Sequence, residues 1–183
     1  MDILRLGHPL LRQKSRPLEL EEIGQPELEQ DIEAMTAAMR AHDGIGIAAP
    51  QIGIMKQIFM IEIGQENTRY EVAESVPIKV FINPVITKSG GPITGNWEGC
   101  LSIPDMRGYV QRPSEIECEY LDLEGVPKKG RLQGFPAVVF QHEKDHLDGV
   151  LYVDHLQSNK HLAFLDEFMA HIQGAPPDDL KGQ

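Results

Sequence analysis

Residues 136–147 constrain the fold of this chain more than any other segment, because they combine an apolar helix with two histidines. The run 137–140, Ala-Val-Val-Phe, is apolar almost all round a helix, which indicates burial. His142 and His146 stand at i and i+4, so both imidazoles lie on one face of the helix, one turn apart. Glu143 projects about 100° round the helix from His142. The segment therefore predicts a buried helix that offers two metal ligands and a base.

The other elements follow from hydrophobic periodicity and from Gly and Pro residues that interrupt it. Apolar residues at helical spacing predict helices, and runs rich in Ile, Val and Phe, or alternating with charged residues, predict strands. In chain order the predicted elements are helix 26–42, strands 57–63 and 78–86, a turn at 89–92, strand 115–123 with a partner ending near 132, helix 136–147 and a C-terminal helix 158–172. This order predicts an α+β fold, with antiparallel sheets packed around a buried central helix that carries the His-Glu-x-x-His motif.

Length and composition predict one globular domain. The chain has 183 residues, enough to bury a core, and we expect a single domain over residues 1–173. The acidic, proline-rich residues 174–183 predict a disordered tail. A formal net charge of −11 argues against non-specific nucleic-acid binding, which needs a basic surface. No apolar run approaches the roughly 20 residues that span a bilayer, and the first residues do not predict a secretory signal.

The third ligand of the predicted metal site is not fixed by the helix. A catalytic site usually takes three protein ligands and leaves one position for water. Downstream candidates are His155, His161 and His171, but the metzincin pattern needs a histidine where this chain has Tyr152. A downstream glutamate, as in thermolysin-like enzymes, has no convincing match. An upstream thiolate from Cys100 is chemically sound, because a bound metal would hold it deprotonated.

Three segments carry a more specific signal when they are taken together. They are residues 44–51 (GIGIAAPQ), 98–102 (EGCLS) and 141–146 (QHEKDH). In this order and at this spacing they resemble the three signature motifs of peptide deformylases, and the similarity extends over nearly the whole chain. The resemblance implies that Cys100, His142 and His146 bind one divalent metal ion. Ferrous iron is the expected native ion, and zinc, nickel or cobalt would also fit the site.

The resemblance also implies a reaction. A metal-bound water would attack the formyl carbon of an N-formylmethionyl peptide, with Glu143 as general base. The side-chain amide of Gln51 and the backbone N–H of Leu101 would stabilise the oxyanion. The products would be formate and a peptide with a free N-terminal methionine.

Substrate-binding and supporting residues follow from the same resemblance and from helical phase. The predicted groove residues are Ile45, Gly46, Gly99 and Arg107, and the predicted walls of a methionine pocket are Phe135, Val138 and Val139. Asp145 precedes a ligand histidine, and Arg112 stands where family members place its partner. We therefore predict that Arg112 and Asp145 form a pair that supports the helix.

The expected partners are formylated nascent chains in the bacterial cytoplasm; an organelle would require that a transit segment had been removed. No membrane or direct nucleic-acid binding is expected; contact with the ribosome stays open, although no basic tail supports it. Two alternatives stay open: a zincin-like metallopeptidase, which the histidine motif alone would allow, and a non-catalytic relative that binds peptide. The presence of Glu143, Gln51 and Cys100 argues against the second alternative.

Overall fold

The computed structural model describes residues 2–63 and 76–180. Within these ranges the α-helices are α1 (Pro26–Ala41), α2 (Phe135–Leu147) and α3 (Leu165–Glu167), which continues as a π-helical turn over Phe168–Ile172, and short 3₁₀ segments lie between the main elements. The strands are β1 (Gly46–Ala48), β2 (Ile58–Ile63), β3 (Val76–Cys100), β4 (Ile103–Leu121), β5 (Pro127–Gln133) and β6 (Leu162–Phe164). None of these helices is long and apolar enough to cross a membrane.

The strands of the described residues form one hydrogen-bonded sheet around helix α2. Its order is β1-β2-β3-β4-β5, and β6 pairs with β4 beside that path. Every pairing between these strands is antiparallel. Helix α2 packs against β1, β2, β4 and β5. The predicted α+β fold, with antiparallel strands around the histidine helix, is confirmed.

Glycine and proline set the two ends of helix α2. Gly134 precedes the helix with φ 62°, and Pro136 lies in the first turn, where its missing N–H costs no hydrogen bond. Gly149 follows the helix with φ 75°, and a Cβ there would lie 2.8 Å from the backbone of Arg12. The helix is therefore held to the length that the sequence predicts.

An aromatic cluster fixes helix α2 against the sheet. Phe140 meets Phe59 and Phe81 edge-on, with ring centroids 4.9 Å and 5.1 Å apart. Such edge-to-face contacts are favourable beyond the burial of area alone. Because Phe140 is fully buried between the strands, His142 and Glu143 on the next part of the helix take defined positions.

The predicted turn at residues 89–92 is wrong. These residues lie inside β3, and the ladder with β4 continues on both sides of them. The step from Gly90 to Ile93 spans three residues of β3, whereas their partners on β4 are two residues apart. The extra residue makes a β-bulge, and Gly91 supplies its positive φ of 71°. The Gly-Gly-Pro run therefore marks a kink within a strand and not a chain reversal.

The C-terminal helix is present but shorter than the predicted 158–172. Ser158 caps a helical turn, yet that turn is the 3₁₀ segment Asn159–His161. Leu162–Phe164 then forms β6, which gains backbone hydrogen bonds along β4, and the helix begins only at Leu165. Apolar spacing alone cannot show that a strand edge lies within reach.

The predicted tail contacts the domain in its described part, residues 174–180. Trp97 Nε1 donates a hydrogen bond of 2.8 Å to the backbone oxygen of Ala175. Residues 181–183 lie outside the described residues. The single domain over 1–173 and the disorder of the tail stay predictions.

Candidate metal centre

Three buried donor side chains meet where the end of β3 faces helix α2. Cys100, His142 and His146 each offer one ligand atom, and these atoms lie within 4.8 Å of one another. Cys100 Sγ is 3.3 Å from His146 Nε2. One thiolate and two imidazoles form a donor set that suits zinc or iron, with room left for a further ligand.

The two histidine rings lie on one face of α2, and the ring of His142 is packed from behind. Their centroids are 5.2 Å apart on adjacent turns of α2. Tyr152 stacks on His142 with a centroid distance of 6.1 Å and an interplanar angle of 20°. Gly108 leaves space for that tyrosine, because a Cβ at this position would lie 2.5 Å from its ring.

The electrostatics of the three donors favour the thiolate. Burial by itself would raise the pKa of Cys100, but the neighbouring His146 and His142 hold it well below its ordinary value. Burial likewise opposes a charge on His142, yet Cys100 and Glu98 raise its pKa well above the usual range. The thiolate is the form of cysteine that binds metals, so the cluster is prepared for a cation.

A buried ionic network supports the candidate ligand His142. Its Nδ1 lies 2.8 Å from Glu98 Oε2, which leaves Nε2 for the ligand role. Arg112 donates to both carboxylate oxygens of Glu98, at 2.6 Å and 3.1 Å, and to Asp145 at 2.8 Å. His155 contacts the same Asp145 oxygen at 2.9 Å. The predicted contact between Arg112 and Asp145 is therefore present, within a larger network.

The role of Glu98 was missed by the sequence interpretation. Glu98 is 5% exposed, and its carboxylate connects Arg112 to His142. A signal was available, because Glu98 precedes Cys100 by two residues on the same strand, and side chains at i and i+2 share a face. Burial opposes ionisation of Glu98, yet His142 and Arg112 hold its pKa below the ordinary value.

Arg112→Ala tests this network. The change leaves the carboxylate of Glu98 buried without its cationic partner, so we expect the free energy of unfolding to fall by about 3–5 kcal/mol. We also expect metal affinity to fall roughly 10–100-fold, because Glu98 would no longer hold His142 as firmly. Urea unfolding and a competitive chelator titration measure the two effects.

Arg131→Ala is the matched control for that change. Arg131 forms an exposed ion pair with Glu115, so its loss should leave both stability and metal affinity nearly unchanged. Equal behaviour of Arg112→Ala and Arg131→Ala would show that the buried network does not support the site.

Glu143 lies beside the donor cluster with an unused oxygen. Its side chain is buried, and within the described part of the chain Oε2 has no hydrogen-bond partner. Burial raises the pKa of Glu143 to about 7, so the carboxyl group can both accept and release a proton near neutral pH. A buried carboxylate oxygen is costly unless it finds a partner, and a divalent cation with its water would satisfy this one. The residues present therefore fit a metal site.

Gln51 brings a polar amide to the same cluster. Its Nε2 lies 3.6 Å from Cys100 Sγ and 3.2 Å from the hydroxyl of Ser102, while its Oε1 accepts a hydrogen bond from the backbone N–H of Ala48. Gln51 and Leu101 line one small cleft together with Glu143. The structure thus brings the two predicted oxyanion donors to the candidate base.

A mainly apolar cavity, open to solvent, lies beside His142 and Glu143. Its lining includes five predicted substrate residues, namely Ile45, Gly99, Phe135, Val138 and Val139. It also includes Asn96 and Trp97, which the sequence interpretation missed. Asn96 and Trp97 could not be assigned to a cavity wall from sequence, because the alternation that marks a half-buried strand is absent there.

Two further predicted residues occupy special positions. Gly46 lies against the candidate base, because a Cβ on it would be 2.4 Å from Glu143 Oε1. Arg107 is buried behind Gly99, where a Cβ would be 2.3 Å from Arg107 Nη1. Arg107 is not part of the cavity lining, so the structure gives no direct contact between it and that space.

The downstream histidines contact acidic residues and are not part of the donor group in the described structure. His155 contacts Asp145, His161 contacts Asp179, and His171 lies 3.4 Å from Glu167. Within residues 2–63 and 76–180, the group of donors able to share an ion is the one that contains Cys100.

Known proteins are similar to this chain in sequence and in fold. Residues 1–162 match the family described as polypeptide deformylase. A peptide deformylase of Leptospira biflexa is 44% identical over 158 residues, which cover 86% of this chain and 88% of that protein. A peptide deformylase 1 of Prochlorococcus marinus is 40% identical over 91% of this chain and 85% of that protein.

Solved structures agree with the sequence comparison. The crystal structure of a class I type b peptide deformylase from Acinetobacter baumannii, bound to Met-Ala-Ser, superposes with a TM-score of 0.81 at 36% identity and covers 85% of this chain and 98% of that one. A peptide deformylase from Synechococcus elongatus in complex with actinonin gives a TM-score of 0.78 at 36% identity, covering 93% and 84% of the two chains.

Proposed function

Because the chain belongs to the polypeptide deformylase family, we propose that it hydrolyses the N-formyl group of peptides that begin with formylmethionine. Membership of this family confirms the resemblance that the three motifs indicated, and it identifies the chain as an enzyme. The observation that carries the detailed proposal is the buried group of Cys100, His142 and His146 beside the carboxylate of Glu143.

The proposed resident ion is ferrous iron, held by Cys100, His142 and His146. A thiolate with two imidazoles would also accept zinc, nickel or cobalt, so the donor set supports a metal without choosing among these. When bound, the ion supplies Lewis acidity that makes water a nucleophile near neutral pH.

The chain's own residues handle the proton and the developing charge. Glu143 accepts a proton as water adds to the formyl carbon, and then passes it to the leaving nitrogen of methionine. The pKa of about 7 that burial gives Glu143 suits both transfers. The amide of Gln51 and the backbone N–H of Leu101 stabilise negative charge on the formyl oxygen. The bond from Ala48 N–H to Gln51 Oε1 fixes which end of that amide faces the cluster.

The apolar cavity supplies the substrate side of the proposal. Phe135, Val138 and Val139 line it on helix α2, as a pocket for the unbranched methionine side chain requires. The substrate backbone would pair with strand β1 near Ile45 and Gly46, in the manner of an added strand. A relative of 36% identity has been solved with Met-Ala-Ser, the kind of product that this reaction releases.

Nascent chains are the proposed partners, and the bacterial cytoplasm is the proposed location. Both rest on the bacterial relatives and on the chemistry of the substrate. A net charge of −11 offers no general attraction to ribosomal RNA, so we propose no ribosome tether.

Gly46→Ala tests the placement of Glu143. The new methyl group would overlap Glu143 Oε1, so the base must move, and we expect kcat to fall roughly 100-fold while the bound metal is retained. Gly90→Ala is the matched control, because a Cβ there meets no atom within 4 Å. A Gly46→Ala enzyme with the turnover of Gly90→Ala would refute the proposed position of the base.

The function itself is tested by product analysis. Anaerobically prepared ferrous protein should release formate from formyl-Met-Ala-Ser and leave Met-Ala-Ser intact. Cleavage between methionine and alanine would instead support a metallopeptidase. Tight binding of the peptide without either product would support a non-catalytic relative.

A further inference from the structure

Trp97 connects the proposed substrate cavity to the C-terminal segment, defined here as residues 165–180. Trp97 lies on β3 and lines the apolar cavity beside Gly99 and Val138. It also lines a second cavity, which the C-terminal segment encloses with Ala175 and Pro176. One indole therefore forms part of two adjoining walls.

Three contacts fix the orientation of this indole. Its Nε1 donates to the backbone oxygen of Ala175 at 2.8 Å. Its ring lies 5.3 Å from Phe168 and 5.5 Å from Tyr109, between centroids. Gly95 makes the second ring contact feasible, because a Cβ there would lie 2.1 Å from the Tyr109 hydroxyl. Aromatic contacts at these distances have preferred angles, so they resist rotation of the ring.

The C-terminal segment is itself anchored at its far end. His161 is 1% exposed, and its Nε2 lies 3.1 Å and 3.2 Å from the two carboxylate oxygens of Asp179. The His161 ring also meets Tyr109, with centroids 6.4 Å apart. The anchor and the Trp97 contacts thus share one aromatic residue.

We propose that the C-terminal segment acts as a positioning element that holds Trp97 as a specificity-determining wall of the substrate cavity. This inference rests on the proposed function. It gives a role to the C-terminal segment, which lies beyond the family match that ends at residue 162. Trp97 contacts the bound peptide, and Phe168 and Asp179 act through Trp97. Aromatic rings make favourable contacts with thioether sulfur, so a tryptophan wall suits a methionine side chain.

Phe168→Ala tests the positioning role. Phe168 belongs to the C-terminal segment, and its loss removes a ring contact to Trp97. We expect KM for formyl-Met-Ala-Ser to rise roughly 2–10-fold, the equivalent of one aromatic contact, with kcat and metal content unchanged. Phe164→Ala is the matched control, because Phe164 is 62% exposed on β6 and has no ring contact to Trp97 among those described. Its KM should equal that of the unchanged chain.

The sole tryptophan of the chain gives an independent optical test. Titrating the metal-loaded enzyme with the product Met-Ala-Ser should change the emission of Trp97, and Asp179→Asn should change the emission of the free enzyme. The second variant keeps the test informative if Phe168→Ala fails to fold.

The outcomes separate this inference from the proposed function. Absence of formate from the unchanged enzyme would overturn the function and, with it, the inference. Two results would overturn the inference alone. One is normal formate release with an unaltered KM in Phe168→Ala, and the other is a Trp97 emission that does not change at saturating Met-Ala-Ser.

Discussion

Cys100→Ser should give a folded protein that no longer holds its metal. Serine keeps the shape of cysteine but replaces a soft, ionised thiolate with a hydroxyl that stays protonated and binds these ions poorly. Losing a ligand should cost more than the roughly 10–100-fold that losing an outer partner costs, so formate release should fall by more than 100-fold. Metal analysis after gel filtration, together with a formate assay, measures both losses.

Cys118→Ser is the matched control for Cys100→Ser. Cys118 is the other cysteine of the chain and is also buried, but it lies in the hydrophobic cluster of β4. Its replacement should leave one metal ion per chain. His171→Gln should do the same, since His171 contacts Glu167 away from the site. Full metal content in Cys100→Ser would contradict the proposed ligand set.

Glu143→Gln should give the opposite pattern, with the metal retained and turnover lost. The amide has the same size as the carboxylate but cannot accept a proton, so kcat should fall about 10²–10⁴-fold. KM should change little, because Glu143 is proposed to act on the water and not on the peptide. Steady-state kinetics at saturating formyl-Met-Ala-Ser, with metal analysis of the same sample, checks the result.

Glu117→Gln controls for the loss of one negative charge. Glu117 lies on β4 and forms an exposed ion pair with Lys88, so its kcat should match that of the unchanged chain. If Glu143→Gln lost its metal in parallel with its activity, Glu143 would have a structural role in the site and the general-base assignment would fail.

The candidate metal ligands could be predicted from sequence because each donor type is chemically restricted. The histidines at i and i+4 lie on one face of a helix, and the motif around Cys100 supplied the third donor through its resemblance to the deformylase motif. The Arg112–Asp145 contact was also predictable, from the position of each residue relative to a motif. The supporting residue Glu98 was not assigned: its position two residues before Cys100 indicates the same strand face, but not that its carboxylate contacts His142 and Arg112.

Other parts of the structure depend on contacts that a single sequence does not display. The Gly-Gly-Pro composition around Gly91 is compatible with a turn or with a bulge. Only the pairing of β3 with β4 on both sides of it identifies a bulge. Strand β6 forms by pairing with β4, whose paired residues lie more than 50 positions earlier in the sequence. The position of Trp97 between two cavities depends on where the C-terminal segment returns to β3.

Titration of metal-free protein with ferrous iron tests the central claim most directly. Formate release from formyl-Met-Ala-Ser should rise in proportion to added iron and level off at about one ion per chain, the capacity of a single three-ligand site. The same titration of Cys100→Ser should stay at the baseline. Formate release that is independent of added metal, or equal activation of Cys100→Ser, would contradict a deformylase built on Cys100, His142 and His146.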